Sequence, residues 1–121
     1  MWGVERFGTA SGVKLCADES AALEALRGWL RARFGARLRE LTLFGSRARG
    51  EGDEESDVDV AVVVEGLTSV EGREIAHFCG DLMTQHAVLV SPFAVSRERM
   101  DELRRRERLI AREIERDGLP L

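Results

Sequence analysis

The sequence predicts a small α/β (α+β) fold, with a mixed sheet of three or more strands flanked by about three helices. Two observations carry this prediction. Apolar residues recur at helical spacing in three long segments, and bulky residues alternate or run together in three short ones. The predicted order is helix, strand, strand, helix, strand, helix. Because the chain has 121 residues, we expect one domain over 1–121, with a weakly predicted N-terminal extension over 1–18.

Three segments have the apolar spacing of amphipathic helices. The first is predicted over residues 20–34, with Asp18 or Ser20 as its cap. The second covers residues 69–86. The third is predicted as one continuous helix over residues 97–116, and its inner stripe comprises Met100, Leu103, Ile110 and Ile114.

Three shorter segments have the pattern of strands. Leu38–Phe44 alternates bulky and polar residues, and the later part of residues 57–64 is apolar on both faces, which is typical of a strand covered on both sides. The third strand is predicted over residues 87–95. Pro92 lies inside it and indicates a strand end, an edge or a bulge. The small and acidic residues 51–56 predict a loop.

Charge and composition exclude several classes of protein. The net charge is −4 and both signs are interspersed, which is unlike a general nucleic-acid binder. The arginines of residues 97–116 alternate with acidic residues as on a solvated helix, so we expect no nucleic-acid partner. Residues 1–12 contain no long apolar run, and Cys16 and Cys79 lie far apart. We therefore expect a soluble, cytoplasmic protein with two free thiols and no membrane partner.

A Gly-Ser turn follows the first predicted strand. Gly45 permits a close approach of the backbone to a ligand, and the N–H groups of the following turn, together with the Ser46 hydroxyl, can bind phosphate oxygens. Arg47 and Arg49 add guanidinium groups that suit bidentate contact with phosphate. The sequence thus predicts a nucleotide-binding turn at Gly45, Ser46, Arg47 and Arg49.

Asp57 and Asp59 stand at the head of the second predicted strand, and ten residues separate them from the Gly-Ser pair. Residues two apart on a strand point to the same face, roughly 6–7 Å apart along the chain. Carboxylates beside phosphates are the ligands that Mg²⁺ prefers, and Mn²⁺ can take the same place. The spacing therefore predicts Asp57 and Asp59 as catalytic residues and metal ligands.

The stretch L-F-G-S-R-A-R-G followed by S-D-V-D-V resembles the signature of the minimal nucleotidyltransferases, which belong to the DNA polymerase β-type nucleotidyltransferase superfamily. The ending R-E-I-E-R-D-G-L-P-L is also similar to family members of this length. The resemblance implies the nucleotidyltransferase fold, with Gly45 and Ser46 on nucleotide phosphates and Asp57 and Asp59 on a divalent metal.

The same resemblance implies a reaction and partners. The reaction is transfer of a nucleotidyl group, commonly AMP from ATP, to a hydroxyl acceptor. A minimal chain must borrow the surfaces that bind the acceptor, so we expect a homo- or hetero-oligomer. The resemblance suggests a HEPN-type toxin subunit as the partner, inactivated by nucleotide transfer onto it, with this chain as its antitoxin.

The sequence departs from the family at one position. The family supplies a third carboxylate from the strand after the second helix, where this chain has Leu89. His86, Ser91 and Glu98 are possible substitutes, although none has the right spacing. Two hypotheses follow: an active Mg²⁺-dependent nucleotidyltransferase, or a nucleotide-binding or partner-binding module that has lost catalysis.

Overall fold

A four-stranded mixed sheet with the strand order β3-β2-β1-β4 forms the centre of the fold. The computed structural model describes residues 15–50 and 57–121. The helices and strands, in chain order, are α1 (Ala17–Phe34), β1 (Leu38–Phe44), β2 (Val58–Val64), α2 (Ser69–His86), β3 (Val90–Ser96), α3 (Arg97–Arg105), α4 (Leu109–Asp117) and β4 (Leu119–Pro120). This arrangement confirms the predicted fold class. The predicted extension over 1–18 and the predicted loop over 51–56 lie largely or wholly outside the described residues.

The strand β2 lies between two apolar layers, as its run of valines predicts. It pairs antiparallel with β1 and parallel with β3. One layer contains α1 and α2, and the other contains residues of α3 and α4, including Met100 and Ile114. Every residue of β2 except Asp59 is buried. Because both faces are covered, β2 fixes where Asp57 and Asp59 stand relative to all four helices.

The helix α1 begins earlier than the sequence predicts. Its N-cap is Cys16, not Asp18 or Ser20, because the Glu19 side chain accepts a hydrogen bond from the Cys16 N–H (2.9 Å). The helix ends at Phe34, before Gly35 at φ +55°. The predicted end is therefore confirmed, whereas the predicted caps were wrong.

The predicted last helix is two helices, α3 and α4. Glu107 adopts φ +51° between them, the Glu107 N–H donates to the Arg104 carbonyl (3.1 Å), and the Arg108 N–H donates to the Leu103 carbonyl (3.0 Å). This is the hydrogen-bond pattern of a Schellman motif, in which the left-handed position is usually glycine. The apolar stripe continues through both helices and a glutamate occupies the left-handed position, so the periodicity gave no sign of the break.

The edges of the sheet supply two further findings. The strand β3 begins at Val90 and not at residue 87, because α2 ends at His86 with Ala87 in the left-handed region at φ +56°. Pro92 lies on this edge strand, as predicted. The two-residue strand β4 pairs with Thr42 and Leu43 of β1 and was not predicted.

Glu71 ties the start of α2 to Arg37 in the turn that follows α1, and this contact makes stability depend on pH. Its carboxylate accepts hydrogen bonds from Arg37 (2.8 Å) and from the Thr68 N–H (3.0 Å). The Arg37 guanidinium, followed by the Thr68 backbone, lowers the pKa of Glu71 from 4.5 to about 2. Since the folded pKa is depressed, this contact stabilises the fold above pH 4.5, and the contribution is lost as pH falls towards 2.

Replacing Glu71 by glutamine is therefore expected to lower the melting temperature at pH 7. The difference from the native protein should shrink as pH falls from 4.5 towards 2, because the native carboxylate becomes protonated in that window. Thermal unfolding followed by circular dichroism between pH 7 and 2 measures this. The control is Glu24→Gln, at an exposed position of α1. A Glu71→Gln deficit that stays constant over the whole range would contradict the assignment.

Candidate active site

The turn after β1 has the geometry of a phosphate-binding turn. Gly45 adopts φ +79°, and its carbonyl accepts hydrogen bonds from the N–H groups of Ala48 (3.1 Å) and Arg49 (3.3 Å). The turn therefore begins like a short helix, whose first N–H groups have no carbonyl partner within the turn. The first N–H group of this turn belongs to Ser46, whose side chain is half-buried. Such a turn can bind an anion.

Asp59 lies directly against this turn. Asp59 pairs with Phe44, the last residue of β1, so the carboxylate of Asp59 reaches the α-carbon of Gly45. A β-carbon at residue 45 would overlap the Asp59 Oδ2 atom. Asp57 precedes the first residue of β2 and lies on the same face as Asp59. The structure thus brings together Gly45, Asp57 and Asp59 at one end of the sheet, where β1 ends and β2 begins.

Gly45 is glycine for a second reason that the sequence did not suggest: it makes room for Asp59. Gly45→Ala is expected to destabilise the protein by about 1–3 kcal/mol, because it combines a left-handed backbone with overlap of the carboxylate. It should also displace the Asp59 carboxylate from its place beside the turn. Urea unfolding and a crystal structure of the variant measure the two effects.

Gly80→Ala is the matched control for this substitution. Gly80 lies within α2, and a β-carbon there meets nothing within 4 Å. Alanine in a helix is favoured over glycine by up to about 1 kcal/mol, so this variant should be as stable as the native protein or more so. If Gly45→Ala behaved like Gly80→Ala, close packing of the turn on Asp59 would be ruled out.

The electrostatics of the site favour a cation. Burial raises the pKa of Asp59 above its ordinary value of 3.8, and the negative charges of Asp57 and of Glu113 on α4 raise it further. Glu113 lies between Ile110 and Ile114 on α4. The side chains of these two isoleucines pack in the apolar cluster that contains Phe44. Sequence reasoning did not single out Glu113. Within residues 15–50 and 57–121, no three His, Cys, Asp or Glu side chains lie close enough to form a complete metal cluster.

The residue that precedes β3, beside Asp57, is apolar. The parallel register of β2 and β3 sets Leu89 beside Asp57, where the Leu89 carbonyl accepts a hydrogen bond from the Val58 N–H (2.9 Å). The Leu89 side chain is 48% exposed, so it covers this side of the site with an apolar surface. Ser91 pairs with Asp59, and its hydroxyl donates a hydrogen bond to Oδ2 of Asp57 (3.1 Å).

The two arginines of the turn contact the protein itself. Arg47 is 4% exposed and pairs with the buried carboxylate of Glu19 on α1 (2.7 Å). Arg49 pairs with Asp117 at the end of α4 (2.9 Å). These ion pairs fix the turn between α1 and α4. The predicted contact of either guanidinium with a nucleotide stays a prediction, and the burial of Arg47 disfavours it for that residue.

The chain is similar to known nucleotidyltransferases. Residues 23–117 match the sequence profile of the family described as "Nucleotidyltransferase domain". "Putative protein adenylyltransferase MJ0604" of Methanocaldococcus jannaschii is 28% identical over 81 residues, which make up 67% of this chain and 77% of that protein. "Putative protein adenylyltransferase MJ0141" of the same organism is 39% identical over 57 residues, or 46% of this chain and 58% of that protein.

A solved structure agrees with these sequence matches. The structure of a "putative minimal nucleotidyltransferase" is 32% identical in sequence and superposes with a TM-score of 0.55. The superposition covers 84% of this chain and 90% of the other.

None of the helices described here has both the length and the apolar character that crossing a membrane requires.

Proposed function

Because the chain belongs to the nucleotidyltransferase domain family, we propose that it transfers AMP from ATP to a hydroxyl of an acceptor protein, with Mg²⁺ or Mn²⁺ as cofactor. The approach of Gly45 to Asp59 carries this proposal, since a turn that can bind an anion then lies beside the carboxylates at one end of the sheet. Two relatives named as protein adenylyltransferases support AMP as the group and a protein as the acceptor.

Asp57 and Asp59 fit a divalent cation. They offer hard carboxylate oxygens on one face of β2, and their mutual repulsion, which helps to raise the pKa of Asp59, would be relieved by a bound cation. A bound Mg²⁺ would polarise the phosphate oxygens and stabilise the charge that develops on the leaving pyrophosphate. The role of the two aspartates is to hold the cation next to the phosphate turn.

Gly45 and Ser46 hold the triphosphate in this proposal. The N–H groups at the start of the turn and the Ser46 hydroxyl donate hydrogen bonds to phosphate oxygens, and Gly45 keeps the backbone close to them. The nucleotide is then oriented with its α-phosphate near the Asp pair. The acceptor oxygen forms a bond to the α-phosphorus as the bond from that phosphorus to pyrophosphate breaks, and the hydroxyl proton is released to solvent or to a nearby base.

Two differently labelled forms of ATP test the reaction. With Mg²⁺ and a protein acceptor, label from the α-phosphate should move to the acceptor, whereas label from the γ-phosphate should appear only in pyrophosphate. Transfer of the γ label would identify phosphoryl transfer and contradict the proposal. Retention of both labels in ATP over a broad panel of protein acceptors would also contradict it.

The exposed side chain of Leu89 favours a second candidate function, a module that binds nucleotide or a partner without turnover. A leucine beside Asp57 cannot accept the proton of an acceptor hydroxyl or bind a cation. In that case the native chain would bind ATP and Mn²⁺ in calorimetry but transfer no label, and Leu89→Asp would introduce transfer. If the native chain already transfers label, this candidate is excluded.

A HEPN-type protein is the acceptor we propose on the basis of the sequence resemblance, with this chain as the antitoxin of the pair. Hetero-oligomer formation would then bring the acceptor surface to the candidate site. Mixing the purified chain with a HEPN protein encoded beside it tests this by size-exclusion chromatography and label transfer. If the two proteins neither bound each other nor exchanged label, this partner would be rejected. The proposed reaction would then remain open to other acceptors.

A further inference from the structure

We infer that Ser91 is a positioning residue for Asp57, which it holds through the hydrogen bond from its hydroxyl to Oδ2 (3.1 Å). The functional importance of this contact rests on the proposed function, because the orientation of Asp57 matters chiefly if its carboxylate binds a cation. The geometry that carries it does not depend on any ligand. It combines the parallel register of two strands, a proline after the serine and the place of Asp57 just before its strand.

Asp57 needs an anchor because the sheet does not supply one. The pairing of β2 with β3 begins at Val58 and Val90, so Asp57 lies one residue outside the ladder. Its side chain is exposed. An exposed carboxylate would otherwise sample several side-chain rotamers. The hydroxyl of Ser91 restricts this freedom through its hydrogen bond to Oδ2.

Ser91 is itself held in place by its neighbours. It pairs with Asp59 in the parallel ladder, so its side chain lies on the same face as both aspartates. Pro92 follows it, and a residue before proline is restricted to extended backbone conformations. Pro92 has no N–H to donate, which the edge strand β3 tolerates. The pair Ser91-Pro92 thus presents a hydroxyl to Asp57 from a rigid strand.

This arrangement gives the serine a role next to Leu89, the position where the sequence resemblance implies a third acid. Leu89 has no polar atom in its side chain, and Ser91 lies two residues further along the same face of β3. Partners that orient a metal ligand typically change metal affinity by about 10–100-fold when they are removed. A single neutral hydroxyl at an exposed carboxylate belongs at the lower end of that range.

The test compares Ser91→Ala with Ser91→Thr, which keeps the hydroxyl, and with Thr84→Ala, which removes an exposed hydroxyl from α2. The first readout is the side-chain rotamer of Asp57 in the metal-free full chain, measured by NMR three-bond couplings. The second is the affinity for Mn²⁺ alone, measured by calorimetry. Ser91→Ala should give averaged couplings at Asp57 and an affinity about 10-fold weaker. Ser91→Thr and Thr84→Ala should stay close to the native protein in both readouts.

The two readouts separate this inference from the proposed function. If Ser91→Ala left the Asp57 couplings unchanged, the positioning role would be overturned, whatever the Mn²⁺ affinity. If the native chain bound no Mn²⁺, the proposed cofactor would be rejected, and the couplings would still decide whether Ser91 orders Asp57. An unchanged Mn²⁺ affinity in Ser91→Ala, with binding lost in Asp57→Ala, would also overturn the inference.

Discussion

Asp59→Asn is expected to lower nucleotidyl transfer by about 10³-fold without destabilising the metal-free protein. Loss of a metal ligand removes several kcal/mol of transition-state stabilisation, and about 4 kcal/mol corresponds to 10³-fold in rate. The substitution lowers the rate, but it is not expected to lower the stability of the folded protein. Burial, Asp57 and Glu113 raise the pKa of Asp59, so its contribution to stability is lost as pH rises through the folded pKa. An amide at residue 59 avoids that loss at neutral pH.

Two measurements check this prediction: the rate of label transfer from ATP, and the melting temperature at pH 7 without metal. Asp81→Asn is the control, because Asp81 is an exposed acid on α2 far from the turn in sequence. It should leave both quantities close to those of the native protein. An Asp59→Asn protein that melted well below the native one would indicate a structural role for the carboxylate, and one that kept full transfer would remove Asp59 from the chemistry.

Arg47→Met is expected to lower the free energy of unfolding by about 3–5 kcal/mol, the usual cost of leaving one partner of a buried ion pair without the other. Arg47 and Glu19 are 4% and 3% exposed and lie 2.7 Å apart. The lost contact also joins the Gly-Ser turn to the first turn of α1. Urea unfolding measures the effect, which is a large part of the total stability of an ordinary domain.

Two further variants show whether the buried charge is the cause. Arg47→Met with Glu19→Gln should be more stable than Arg47→Met alone, because the amide oxygen can still accept from the Cys16 N–H while the uncompensated charge is gone. Arg39→Met removes an exposed ion pair with Glu65 and should cost far less than Arg47→Met. Equal losses in Arg39→Met and Arg47→Met would contradict the importance of burial.

The central part of the fold could be predicted because its signals are local. The valines of β2 reveal a strand covered on both sides, and the period of α2 leaves no alternative to a helix. The break between α3 and α4 could not be predicted, since its left-handed residue is Glu107 and the apolar stripe runs on through both helices. The strand β4 has only two residues, too few for any periodic pattern.

The sequence indicates the residue types of the candidate site but not their contacts. The spacing of Asp57 and Asp59 indicates convergent carboxylates from sequence alone. Arg47 was predicted to bind phosphate, and its burial against Glu19 depends on a residue 28 positions away. The hydrogen bond from Ser91 to Asp57 spans 34 positions and needs the parallel register of β2 and β3. Such pairings arise from topology, which no local pattern encodes.

The central claim is that ATP and a divalent cation meet between the Gly-Ser turn and the Asp pair. A crystal structure of the chain with Mn²⁺ and a non-hydrolysable ATP analogue tests it most directly, since the anomalous signal of manganese locates the cation. We predict manganese at coordination distance from carboxylate oxygens of Asp57 and Asp59, with phosphate oxygens on the N–H groups after Gly45. Nucleotide in the arginine-lined cleft between α1 and β1, at Arg27 and Arg31, with no manganese at the Asp pair, would contradict the claim.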